Sequence, residues 1–326
     1  MFRKTRCQSI DFFGIFLYTF NIIVRKKRRG TALMKYLDRF DLVDEDANPE
    51  FVRKIKYSYT EDEWFPLGFF EKKALRRVDF ETVTVFYGGN GSGKSTLLNL
   101  IAEKLALRRT AEVSVTKAFC DYADSCRVYK SKIPAGSKML TSEDVFQNIF
   151  SARSKNIALD EQKAEAEDLF DEFSFDRQYD EFADTNLISK RLVKKQHLAK
   201  NTGSKERQFS NGENALRFFK SEIQKKKLYL LDEPENSMSP AYQLELKRLL
   251  EECARFDNCQ FIIATHSPFI LSIEGAAIYD LDATPVSVER WYNLKNMRVY
   301  YDFFAQNKEL FEMFRDAVPK KRTTQK

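Results

Sequence analysis

The chain has 326 residues, of which 43% are hydrophobic, 31% charged and 14% aromatic, a composition that suits a soluble globular core and argues against a disordered chain. The formal charge of +6 is no argument for nucleic acid: residues 1–33 hold eight of the 54 Lys/Arg and one of the 48 acids, which leaves 46 bases against 47 acids in the body. Five cysteines without a CxxC pair point to a reducing, cytoplasmic setting, and two histidines, His197 and His266, are too few for a zinc cluster.

The front segment Ile10–Val24 is apolar and is followed by the basic run Arg25–Arg29. It contains Asp11 and Asn21 and falls short of the roughly 20 residues that a spanning helix needs, so membrane association is not expected. Residues 1–33 are expected to be a disordered extension or an artefact of the start, with the folded domain over 34–318 and a disordered tail over 319–326.

Two runs rich in β-branched and aromatic residues, Phe51–Tyr59 and Arg77–Tyr87, predict strands, and the second runs into the loop Gly88–Ser95 (GGNGSGKS). Leu97, Leu98, Ile101 and Leu105 then fall near helical spacing over Ser95–Leu107. From about Ser151 to Lys200 the chain is highly charged, with a helical stretch over Leu159–Phe173 and a basic run Lys190–Arg207, and predicts a helical lobe over about 145–215. Leu228–Leu231 and Gln260–Ala264 have the short apolar pattern of buried parallel strands, separated by a helix over Pro240–Phe256. Ala276–Leu281 and Val286–Trp291 predict further strands, and a helical segment follows from about Met297.

Strand, glycine loop and helix in that order form the setting of a phosphate-binding loop. Its glycines let backbone N–H groups approach phosphates at a helix N-terminus. Gly88, Gly89, Asn90, Gly91, Ser92, Gly93, Lys94, Ser95 and Thr96 are therefore the expected ATP contacts, with Lys94 on the β- and γ-phosphates and Ser95 on Mg2+. The apolar run Leu228–Leu231 ends in Asp232 and Glu233; the first suits the magnesium shell and the second the base that polarises the attacking water. His266, after the apolar Phe261–Ile263, is placed to bond a γ-phosphate and to hold the Glu233 carboxylate. Ser210-Asn211-Gly212-Glu213 fits an N-terminal capping box, and the capped helix end offers Ser210 and the Gly212 N–H to a phosphate.

Taken together, GGNGSGKS, FSNGEN, LLDEPEN and ATHSP resemble the bacterial stand-alone ATPases of the ABC class, which belong to the AAA family and are related to SMC heads, over roughly Phe51–Phe311. The resemblance implies an α/β P-loop NTPase fold of ABC-ATPase type, with a mixed sheet core, an antiparallel β subdomain and a helical lobe. It implies ATP binding and Mg2+-dependent hydrolysis that drive dimerisation, with the Ser210–Gly212 signature of one copy on the P-loop of another. It also implies a magnesium-linking side chain near 139–150, usually a glutamine; none stands at an obvious equivalent position, and Glu143 is the first choice, ahead of Asp144 and Gln147. Ser239 stands where the inter-subunit loop usually has Asp. The expected role is a cytoplasmic homodimeric switch acting on nucleic acid or a partner effector; the alternative is the ATPase subunit of a membrane transporter.

Overall fold

A computed structural model describes residues 35–109, 115–175 and 210–315, with side chains over the same spans except 162–175 and 314–315. The front extension, the basic run Lys190–Arg207 with His197, and the tail 319–326 lie outside the described residues, as does the 176–209 part of the expected lobe.

The described strands are β1 (Leu37–Asp41), β2 (Arg77–Asp79), β3 (Val83–Tyr87), β4 (Arg127–Lys130), β5 (Lys138–Thr141), β6 (Leu228–Asp232), β7 (Gln260–Ala264), β8 (Ala277–Asp280) and β9 (Ser287–Glu289). The helices are α1 (Pro49–Ser58), α2 (Phe69–Lys72), α3 (Lys94–Lys104), α4 (Lys117–Ser125), α5 (Ser142–Phe175), α6 (Asn211–Glu222), α7 (Pro240–Phe256), α8 (Pro268–Leu271), α9 (Lys295–Gln306) and α10 (Lys308–Arg315). Among the described residues no helix is long and apolar enough to cross a membrane.

The main sheet has the order β5-β6-β7-β3-β8-β9; its first five strands are parallel and β9 pairs antiparallel with β8. A smaller antiparallel sheet has the order β2-β1-β4. The fold is thus α/β with a mixed sheet and a separate antiparallel subdomain. Every residue of β3 and of β7 is buried, as strands covered on both faces require. Alternate side chains feed two cores. Phe86, Leu230 and Ile262 pack with α3 and the small sheet, while Val85, Leu231 and Ile263 pack with α6 and α7. Buried Gln260 joins the sheets: its amide oxygen accepts from the backbone N–H of Tyr36 and Leu37 at 2.8 and 2.9 Å, and its amide nitrogen donates to the carbonyls of Leu37 and Glu81 at 2.8 and 3.0 Å.

Two sequence expectations are corrected. Phe51–Tyr59 is not a strand: Pro49 starts α1, and Phe51 and Ile55, one turn apart, face inward, with the Phe51 ring 6.1 Å from that of Tyr122. Pro at the first turn and a single inward face outweigh the β-branched and aromatic propensity of this stretch. Arg77–Tyr87 is two strands in different sheets, broken at Phe80–Thr82, where Phe80 turns into the core.

Candidate functional site

Parallel strands bring their C-terminal ends to one edge of the sheet, where open α/β sheets place their ligand sites. Here the turns after β3, β5, β6, β7 and β8 carry Gly88–Gly93, Glu143 and Asp144, Glu233, His266, and Asp282 in turn. The loop after β3 turns into α3 with Gly91 and Gly93 at φ +78° and +98°, left-handed values that suit glycine. A side chain at Gly93 would also run into the Phe69 ring. Ser92 Oγ is buried without a hydrogen-bond partner, and the α3 N-terminus presents its free N–H groups beside it.

Lys94 is buried and curls over its own loop, donating to the carbonyls of Gly88 and Gly89 at 2.8 and 3.0 Å. Its ammonium lies 3.9 Å from Glu233 Oε1. Ser95 Oγ donates to Asp232 Oδ1 at 3.0 Å. Burial pushes the Asp232 carboxyl up to about 6, although the Ser95 hydrogen bond pulls it down. Glu233 sits in the left-handed region at φ +45°, a conformation that costs a non-glycine residue about 1–2 kcal/mol and aims the side chain away from the strand. Its Oε2 accepts from Asn236 Nδ2 at 3.1 Å, and its Oε1 lies 3.7 Å from His266 Nδ1. Lys94, Ser95, Asp232, Glu233 and His266 are thereby joined in one continuous cluster.

The hydroxyl of Ser95 and the carboxylate of Asp232 are hard oxygen donors of the kind Mg2+ takes. Among the described residues no three His, Cys, Asp or Glu side chains converge into a metal cage. A cation held here would therefore complete its shell with phosphate oxygens and water, the usual arrangement for Mg2+. The residues fit a magnesium-bound nucleotide on these grounds.

Other expected residues lie apart from this cluster. Ser210 caps α6, its Oγ accepting from the Glu213 N–H at 3.3 Å, while the Glu213 carboxylate turns to Arg217 at 3.1 Å and leaves the box half formed. Among the described residues, no hydrogen bond or ion pair joins Ser210 or Gly212 to Gly88–Ser95. Gly212 is instead pressed on the turn before α7: a methyl group there would meet the Ser237 carbonyl oxygen at 3.0 Å and the Tyr242 ring at 3.1 Å. Asn211 ties this end of α6 to α5 by accepting from Arg153 at 2.9 Å. Glu143 is exposed in the first turn of α5 and makes no hydrogen bond or ion pair among the described residues. The inward carboxylate is Asp144, whose Oδ2 accepts from the Thr141 N–H at 2.7 Å and whose Oδ1 is buried and unpartnered. Ser239 is the N-cap of α7, ahead of Pro240, and its side chain makes no capping bond.

Two residues of the site were not singled out in the sequence. Asp282 follows β8 and accepts the Gly89 N–H with both carboxylate oxygens, at 3.0 and 2.9 Å, anchoring the glycine loop. Glu235 is 4% exposed, and its Oε1 accepts from the Thr265 hydroxyl, the His266 N–H at 3.3 Å and the Ser267 N–H at 3.2 Å. The loop that carries His266 is thus pinned to the loop that carries Glu233. Ser267 Oγ continues the chain to Gln243 Oε1 at 2.7 Å, and Gln243 Nε2 donates to the Met238 carbonyl at 2.9 Å. Burial raises the Glu235 carboxyl above the ordinary range, with the Thr265 bond opposing, and Oε2 has no partner. The signal for both was present, in DEPEN and IYDLD, but it depends on which strands are neighbours.

Residues 151–272 match the family described as "AAA domain, putative AbiEii toxin, Type IV TA system". No curated protein matches the chain. Among solved structures the chain is similar to an SMC head domain with an extended coiled coil, bound to the C-terminal domain of ScpA, from Pyrococcus furiosus (14% identity, 83% of this chain and 100% of that one, TM-score 0.41). It is also similar to the SMC head domain from Thermotoga maritima (13% identity, 78% and 98%, TM-score 0.36). A third likeness is to a dimeric ATP-binding cassette in a post-hydrolysis state bound to ADP and Pi (16% identity, 67% and 90%, TM-score 0.32).

Proposed function

We propose that this chain, a P-loop ATPase of the ABC- and SMC-like class, binds ATP with Mg2+ and hydrolyses it, and that the hydrolysing site is completed by a second copy. The observation that carries the reading is the joining of Lys94, Ser95, Asp232, Glu233 and His266 at one sheet edge, each within 4 Å of the next polar partner or adjacent to it in sequence. Backbone N–H groups of Asn90–Thr96 and the Lys94 ammonium bind the phosphates, while the Gly89 N–H stays with Asp282 and Lys94 exchanges its bonds to Gly88 and Gly89 for phosphate oxygens. Ser95 and Asp232 hold Mg2+, which when bound neutralises charge on the transferring phosphoryl group. Glu233 orients and deprotonates the attacking water, and its carboxylate is held by Asn236 and faces the imidazole. His266 would bond the terminal phosphate, and Glu235 sets the backbone on which it rides. We assign no metal contact to Glu143.

Ser210 and Gly212 lie at a helix N-terminus fit for a phosphate, yet among the described residues no hydrogen bond or ion pair joins them to the P-loop, which supports a site shared between copies. The test is complementation. Lys94→Ala removes the phosphate-binding lysine and Ser210→Arg blocks the signature helix, so each protein alone should be inactive. Co-expressed and purified together, they form mixed pairs in which one P-loop and one signature helix are both intact. ATPase activity should return in the mixture. Its failure to return, with both proteins folded and present in the same assembly, would contradict a shared site.

A further inference from the structure

The last two helices are anomalous for a water-soluble fold. After Met297, every residue of α9 and α10 whose side chain is described is exposed, and Asn307 between the two helices is half-buried. Val299, Tyr300, Tyr301, Phe303, Phe304, Leu310, Phe311 and Met313 are each about half exposed or more. Asn307 separates the two helices and caps α9 by donating from its side chain to the Phe303 carbonyl at 2.8 Å, and Phe304 and Phe311, on either side of it, have ring centroids 5.7 Å apart. Helices of 12 and 8 residues are marginal in water without a packed face. Something must cover this one.

Three features select the occupant. First, Tyr300, Phe303, Phe304, Leu310 and Phe311 recur at spacings of three, four and seven residues, the spacing of a helix face that packs on another helix. Second, the segment Lys295–Met313 carries Lys295, Arg298 and Lys308 against Asp302, Glu309 and Glu312, a balance that suits neither nucleic acid nor an anionic membrane surface and is self-complementary. Third, the five side chains on this spacing offer on the order of 100 Å² apiece, roughly 500 Å² per chain and so roughly 1,000 Å² between two copies, the lower end of what a specific interface buries.

We infer that α9 and α10 form a helix-to-helix interface with the same helices of a second copy of this chain, independent of nucleotide. The contact uses neither the P-loop nor Ser210, so it does not rest on the ATPase reading. It would hold two chains together between cycles of closure at the shared site and raise the effective concentration of one signature helix at the other P-loop.

The experiment is light scattering on the full chain without nucleotide, from about 1 to 50 μM, with Phe304→Lys/Phe311→Lys and Lys94→Ala alongside. The wild type and Lys94→Ala should both have the mass of two chains. The double variant should have the mass of one, with its dissociation constant raised at least 100-fold while its circular dichroism spectrum stays native. A wild-type mass of one chain at 50 μM, or a two-chain mass unchanged by the double substitution, would overturn the inference. If the double variant does not fold, hydrogen exchange on the wild type decides. Amide protection over 298–313 that falls on dilution supports pairing, and protection independent of concentration shows that this chain covers its own face.

Discussion

Replacing Glu235 by alanine removes the acceptor shared by the Thr265 hydroxyl and the His266 and Ser267 N–H groups. Ser267 N–H keeps a second partner in Thr265 Oγ1 at 3.0 Å, so two donors, on Thr265 and His266, lose their acceptor. At about 1–3 kcal/mol for each stranded donor, and with relief from burying an ionisable group as an offset, the net loss is about 2 kcal/mol. For a domain of this size that lowers the melting midpoint by roughly 5 °C. The catalytic effect should exceed the thermal one, because His266 is displaced from Glu233; a shift near 1 Å costs on the order of 10- to 100-fold in kcat. KM for ATP should stay within about twofold, since no P-loop contact is touched. Glu235→Gln keeps the accepting oxygen and should retain most of kcat. Calorimetry and steady-state phosphate release on both variants provide the measurement. Equal losses in Gln and Ala, or an alanine variant with unchanged kcat, would refute the pinning of the switch loop by Glu235.

Four further outcomes are expected. Glu233→Gln should lower kcat by about 10²- to 10⁴-fold while leaving ATP binding by fluorescence titration intact. Asp282→Ala frees the Gly89 N–H and loosens the glycine loop, so KM for ATP should rise several-fold with kcat nearly unchanged. Gly93→Ala meets both the Phe69 ring and a left-handed backbone, and should cost about 2 kcal/mol or more in a denaturant titration as well as abolishing nucleotide binding. The pH dependence of Glu235→Gln has a definite sign. The wild-type carboxyl is raised in the folded state, so folding binds the proton more tightly, and the charged form weakens the fold as pH rises past the unfolded value. The Gln variant should therefore gain in melting midpoint relative to wild type between pH 5 and pH 8, and a constant difference would argue against a buried charge.

The glycine loop, the Asp232-Glu233 pair and His266 are legible in the sequence because each depends on a few adjacent residues and on the apolar strand before it. That Leu228–Leu231 and Gln260–Ala264 are buried parallel strands was legible in the same short apolar runs, but their order in the sheet was not. What depends on distant neighbours was not legible. Asp282 matters only because β8 lies beside β3, so that the turn after one strand meets the loop after the other. Glu235 matters because β6 and β7 are adjacent and their turns share one buried carboxylate. In the turn after β5, Glu143 and Asp144 are consecutive acids, and only the start of α5 decides that Asp144 turns inward. Phe51–Tyr59 carries strand-forming residue types on a helix whose inward face is set by Phe51 and Ile55 packing beside α4.

Mg2+-dependent release of phosphate from ATP by the purified chain decides whether this cluster turns over ATP. Release should be steady, stop on chelation of Mg2+, be abolished in Lys94→Ala and fall at least 100-fold in Glu233→Gln. Release that persists unchanged in both variants, or its absence from folded wild-type protein that binds ATP, would contradict turnover by this cluster.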